Sequence, residues 1–292
     1  MKHRPLLAFL LLSLALAWVV RIPLLLASYD VIKLPFAANN LDRWQTLAAV
    51  GPCLAALIVT AGAGGVNGLR SLFGRFLRWR LGLHWYAIAL LLPVLPLGLH
   101  LALGGHAPSF VSANLQPGQA PTDVHPINPW SLVVPLFLRQ LVANPIAEEI
   151  AWRGFFLPRL QRRYGAVVAS IVAGLALSFI SLPLMFAKGN PSPALSCLFL
   201  LLQVLPSFVL FTWLFNNTQG SLIAVVLFNN STAVVIQYLA AAQASPFLTI
   251  GTTWGLALIV TAVAGPRDLC RSPARKADAL AEEWTPQQVQ PA

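Results

Sequence analysis

Apolar residues fill the chain in blocks of about 20, and the short segments between blocks collect nearly all of its charges. A block of that length, coiled as a helix rising 1.5 Å per residue, crosses a hydrocarbon core of roughly 30 Å. The pattern predicts eight such helices, at about residues 5–27, 44–63, 84–104, 131–152, 165–187, 194–215, 220–242 and 245–264. The fold class this implies is all-α, a polytopic bundle of about eight transmembrane helices. The first block has a second reading, because its basic start and Ala15-Leu16-Ala17 resemble a signal peptide and its cleavage site. A retained helix is the preferred reading, since the apolar character resumes after Arg21.

The polar segments define the organisation. Residues 1–130 hold three helices and the longest connection, a Gly- and Pro-rich outer loop that predicts an irregular link or a lid. Residues 131–264 hold the other five helices as a core, and residues 265–292 read as a flexible cytoplasmic tail. Only "NNTQG" separates the sixth and seventh blocks, which predicts a tight antiparallel helical hairpin.

Composition agrees with the pattern. The 292 residues are 57% hydrophobic and 10% charged, against about 25% charged in an average soluble domain. A net charge of +10 invites a nucleic-acid partner, but the placement of the basic residues points to membrane topology. With the N-terminus inside, the inner segments around Lys2, Arg70, Arg159 and Arg267 carry thirteen basic residues, and the outer ones carry Lys33, Arg43 and Lys188. That excess follows the positive-inside rule for an even number of spans. It predicts an integral protein of a bacterial inner membrane with both termini cytoplasmic, whose partner is the lipid bilayer and not nucleic acid. Arg21 then reads as an arginine snorkelling toward the outer face. Cys53, Cys197 and Cys270 are too scattered for a disulfide framework or a metal knuckle, and no histidine lies beyond His125.

The strongest chemical signal is "AEEIAWRGF", residues 147–155. Ionisable groups inside a span are expensive and mark function by default. On a helix Glu149 and Arg153 are four apart and can pair, whereas Glu148 points about 100° away, which predicts separate roles for the two acids. Glu149 becomes the scaffold and Glu148 a general base toward water. Pro145 predicts a kink just before them. In the seventh block Asn229, Asn230, Ser231 and Thr232 are four consecutive polar residues, which must face other helices or a polar cavity. The aromatic cluster of Phe208, Phe211, Trp213 and Phe215 reads as packing, and Gln203 and Gln237 as interhelical hydrogen-bond sites.

The stretch "ANPIAEEIAWRGFFLPRLQRRYGAVVASIVAGLALSFISLPLMF" with "FVLFTWLFNNTQGSLIAVVLFNN" resembles the core of the CAAX prenyl protease and bacteriocin-processing family of intramembrane metalloproteases. Glu148, Glu149 and Arg153 fit its E-E-x-x-x-R motif. The resemblance implies a protease of eight helices in which the first glutamate activates water while later histidines and an asparagine bind metal or hold the oxyanion. Here Ser181 and Asn229 stand where the two motif histidines belong, and Ala233 stands at the asparagine. Zinc is the cofactor the family implies, yet hydroxyl and amide groups are poor zinc ligands. The resulting expectation is an intramembrane endopeptidase homologue whose glutamate-based site is impaired or inactive, a pseudoprotease. Two alternatives are an active endopeptidase on membrane-anchored or prenylated substrates, and a non-catalytic binding protein, regulator or small transporter. A membrane-anchored protein or peptide is the partner these readings share.

Overall fold

The computed structural model describes residues 4–34, 41–114, 122–143, 145–272 and 280. The C-terminal tail falls outside them almost entirely. Helices α1 (Arg4–Ser28), α2 (Leu41–Gly74), α3 (Leu83–Leu91) and α4 (Leu95–Ala102) come first, the last two joined through a 3-10 turn at Leu92–Val94. Strands β1 (Phe110–Asn114) and β2 (Thr122–Ile127) follow, then α5 (Val133–Ala143) and α6 (Pro145–Glu149). A π-helix, Ile150–Phe156, leads into α7 (Leu157–Gln161). The chain continues through α8 (Ala166–Met185), α9 (Pro193–Asn217), α10 (Leu222–Ala241) and α11 (Pro246–Ala264).

Among the described residues seven helices are long and apolar enough to span a membrane, and the α5–α7 segment makes an eighth if its bent halves are one span. The protein is therefore an integral membrane helix bundle. Two of the eight expected spans differ in form. The second breaks at Gly65, whose φ of 55° is open to glycine, and helix resumes as far as Gly74. The fourth is bent by 49° between Pro129–Leu141 and Pro145–Gln161. Pro145 has no N–H to give to the preceding turn and starts a new helix instead, as its position predicted.

The outer loop departs from the irregular link expected of it. Its β1 and β2 pair antiparallel, with Phe110 opposite Ile127 and an irregularity between Ser112 and Asn114. This ribbon is tied to the bundle by the Ser109 amide, which donates to the Ala241 carbonyl. The segments assigned to the outer side meet one another: Lys188 pairs with Asp30 at 2.6 Å, and the Tyr29 hydroxyl donates to the Phe186 carbonyl. On the opposite side Arg78 donates to the Gln219 carbonyl. Gln219 and Gly220, at φ 55° and 79°, make the tight turn between α9 and α10.

Helix α10 is the hub of the bundle. Successive residues of a helix point about 100° apart, so its polar run reaches a different neighbour at each step. Asn230 donates to the Phe137 carbonyl of α5 at 2.9 Å, and Ser231 to the Leu90 carbonyl of α3 at 2.7 Å. Thr232 turns back to Phe228 of its own helix. Around this hub lies a core that includes Trp152, Phe155, Phe156, Leu214 and Phe215. Helix α1 docks on α2 at Gly51, where a β-carbon would stand 3.0 Å from the Ala17 backbone nitrogen. Its other face reaches α8. There Trp18 Nε1 and Arg21 Nη1, three residues apart, both donate to the Ile180 carbonyl, at 3.1 and 2.6 Å.

Candidate active site

Glu148 and Glu149 close α6, where the kink at Pro145 and the wider π-helical turn after them flank the pair. π-Helical turns are rare and concentrate at functional sites. Glu149 is completely buried and Glu148 half-buried. Arg153, 2% exposed, donates from Nη1 to Glu149 Oε1 at 3.2 Å, which is the expected pairing. The guanidinium carbon of Arg153 lies 4.1 Å from the ring centroids of both Phe208 and Phe211, so α9 grips it through two aromatic faces. A desolvated guanidinium is stabilised by such faces.

The two glutamates are less independent than their angular separation predicted. Asn229 of α10 lies between them, and its Nδ2 donates to Glu148 Oε2 at 3.0 Å and to Glu149 Oε1 at 2.9 Å. One amide group bridges both acids, because α10 crosses close enough to face the two directions at once. Ala233 follows one helical turn after Asn229 and adds no polar group; its carbonyl accepts from Gln237. Gln237 in turn accepts from Arg139 of α5, and Gln203 lies 3.5 Å from Thr253 of α11, so both glutamines do bridge helices.

Arg21 corrects a sequence expectation. It does not snorkel to the outer face: it is 8% exposed and held against α8, with Nη1 also 3.5 Å from Ser181 Oγ. The Ile180 carbonyl draws it inward. Arg21 and the phenylalanine pair are what sequence reasoning missed. The available signals were the lone charge inside the first apolar block and the three-residue spacing of Phe208 and Phe211 on one helical face.

Several buried polar atoms of this cluster have no protein partner: Glu149 Oε2, Arg21 Nε, and Arg153 Nε and Nη2. Unpaired buried groups of this kind call for water or a ligand. Zinc does not fit the donors. Asn229 turns its N–H2 group, not its oxygen, toward the carboxylates, and Ser181 Oγ faces a guanidinium. No group of three His, Cys, Asp or Glu side chains able to hold a metal exists among the described residues. His84 is exposed against Trp85, and His100 lies beside the His106 carbonyl, so neither serves the site.

The site adjoins a small apolar cavity of about 40 Å³ that is lined by Phe211 and Phe228 and edged by Gln203, Ser207 and Thr232.

Comparison with known proteins finds similarity over the segment that carries this site. Residues 129–232 match the family described as "Type II CAAX prenyl endopeptidase Rce1-like", a segment that contains both glutamates, Arg153, Ser181 and Asn229 but neither Arg21 nor Ala233. A curated protein named CAAX prenyl protease 2, from Methanococcus maripaludis, is 33% identical over 101 residues. That match covers 32% of this chain and 36% of the relative, so the chain aligns with about a third of it. Over residues 129–232, which carry the paired glutamates and the arginine four residues on, the chain is therefore similar to the CAAX prenyl endopeptidases.

Proposed function

We propose that this membrane protein is an endopeptidase homologue whose glutamate site is impaired as a hydrolase and acts by binding a membrane-anchored protein or peptide. The observation that carries the reading is the Asn229 bridge to both carboxylates. A general base must accept a proton from water, and hydrogen bonds donated to its carboxylate are weakened when it does so. Asn229 donates to both acids at once and therefore opposes proton uptake by either. Glu149 is further committed to Arg153. Glu148, half-buried, remains the group that a water or a ligand can approach. On this reading Glu148, Glu149 and Arg153 are the remains of a proteolytic site, and Ser181, Asn229 and Ala233 its altered positions. The working core is residues 131–264, and both termini face the cytoplasm of a bacterial inner membrane, a topology supported by the distribution of basic residues.

A second reading, an active endopeptidase on prenylated substrates, is favoured by the retained glutamate pair and by the name of the curated relative. One experiment separates them. The purified protein in lipid is incubated with farnesylated and unmodified membrane-proximal peptides, with and without added zinc, alongside Glu148→Ala. Binding without cleavage under every condition supports the proposal. Cleavage that disappears in Glu148→Ala would overturn it in favour of the enzyme.

A further inference from the structure

The chain leaves α11 at Gly265, with φ 80°, and folds back over the end of the bundle opposite the Lys188–Asp30 pair. Four consecutive carbonyls of the returning segment are then held one by one. Those of Pro266 and Arg267 accept from the Val167 and Ala166 amides at 3.2 and 2.7 Å. The first amides of a helix have no partner within it, and Gly165, at the N-cap of α8, has no side chain to offer them. The carbonyls of Asp268 and Leu269 accept from Asn216 Nδ2 and Asn217 Nδ2, the last residues of α9, both at 2.8 Å. All four contacts are to backbone, so the side chains of the segment play no part in them.

One side chain adds an anchor. Leu269 is fully buried in the main core at φ 45°, a left-handed conformation that a leucine keeps only where its surroundings hold it there. Cys270 follows at 6% exposure, its Sγ 3.4 Å from Asn217 Oδ1. The grip continues toward the glutamates. Asn216, fully buried, exchanges two hydrogen bonds with Gln161 of α7, at 3.1 and 2.9 Å. Gln161 lies eight residues after Arg153 on the bent span, and Asn216 lies five residues after Phe211 on the helix whose aromatic rings enclose Arg153.

We infer that the ends of α7, α8 and α9 form a peptide-docking surface whose occupant is this chain's own residues 266–270, and that the docked segment is a latch holding the Arg153 span against α9. The surface reads four carbonyls and one leucine. The inference goes beyond the glutamate site as hydrolase or binder and can fail apart from it, because its test reads thiol access and amide exchange and not cleavage. A segment that merely trails from α11 is the competing role.

Cys270 is a built-in reporter of the latch. Full-length protein in lipid is treated with a maleimide, and labelling of Cys270 is followed by peptide mass spectrometry beside hydrogen exchange of residues 150–161. Wild-type Cys270 is expected to react far more slowly than in denatured protein, since it must wait for the latch to open. Leu269→Ala is expected to speed labelling about 30-fold, the lower end for truncating a buried leucine. Asn217→Ala, which removes one backbone grip, is expected to speed it about tenfold, and it serves alone should Leu269→Ala fail to fold. Leu269→Met keeps the volume of the anchor and should label nearly like wild type. In both opening variants residues 150–161 should exchange faster while α1 keeps its wild-type rate. Fast labelling of wild-type Cys270, or a wild-type rate in the folded variants, overturns the docking. Faster labelling with unchanged exchange at 150–161 overturns the hold on the Arg153 span, as does an equal acceleration in α1, which would mean a general loosening.

Discussion

Replacing Arg153 by methionine is the sharpest test of how the site is held. The substitution keeps an unbranched stem and removes the charge. Glu149 loses its ion pair at 3.2 Å while remaining fully buried, and the rings of Phe208 and Phe211 lose the cation between them. Breaking a buried pair by deleting one partner costs about 3–5 kcal/mol, because the remaining charge is uncompensated. At about 2–4 °C per kcal/mol for a chain of this order of size, the thermal midpoint should fall by about 6–20 °C. The assay is thermal unfolding of the purified protein in one detergent at one pH. A partner variant decides the cause. Glu149→Gln combined with Arg153→Met removes both charges, and replacing a buried pair by neutral groups is far milder than breaking it. The double variant should therefore melt above Arg153→Met alone. A midpoint within about 2 °C of wild type for Arg153→Met, or a double variant no better than the single one, would refute the idea that this pair holds the span.

Asn229→Leu removes two hydrogen bonds to carboxylates, each worth about 1.5–3 kcal/mol, so the midpoint should drop substantially; an unchanged midpoint would mean that the bridge is incidental. Gly51→Val places side-chain atoms against the Ala17 backbone of α1, an overpacking that costs about 1–3 kcal/mol. Thermal unfolding reads the loss, and an unchanged midpoint would mean that α1 does not pack on α2 at this position. Metal analysis of the purified protein should find zinc well below one equivalent, and added chelator should leave the thermal midpoint in place. A stoichiometric metal would show that Ser181 and Asn229 can serve in a donor set after all.

Much of the bundle could be read from the chain because each apolar block must satisfy its own backbone in lipid, and a helix does so from local sequence alone. The tight turn at Gln219 and Gly220, the break before Pro145 and the Glu149–Arg153 pair are likewise local, set by residues no more than four apart. The π-helical turn after Glu149 escaped notice, since nothing in residues 150–156 distinguishes an i→i+5 pattern from an ordinary α-helix. The ribbon of β1 and β2 escaped too, because its pairing joins residues across a loop whose composition reads as irregular.

What the sequence determined by itself is the run of long apolar helices, their order, and the place where two acids and a base lie within one turn and a half of each other. Periodicity and hydropathy settle these because they are properties of neighbouring residues. Which residues meet those acids was decided by the tertiary structure. Asn229 reaches both glutamates only because α10 crosses α6 at that height, and Arg21 reaches α8 only because α1, close on α2 at Gly51, brings its guanidinium to the Ile180 carbonyl. A buried charge takes its partner from whichever helix packs beside it, and helix packing is set by shapes that the linear order of residues does not display.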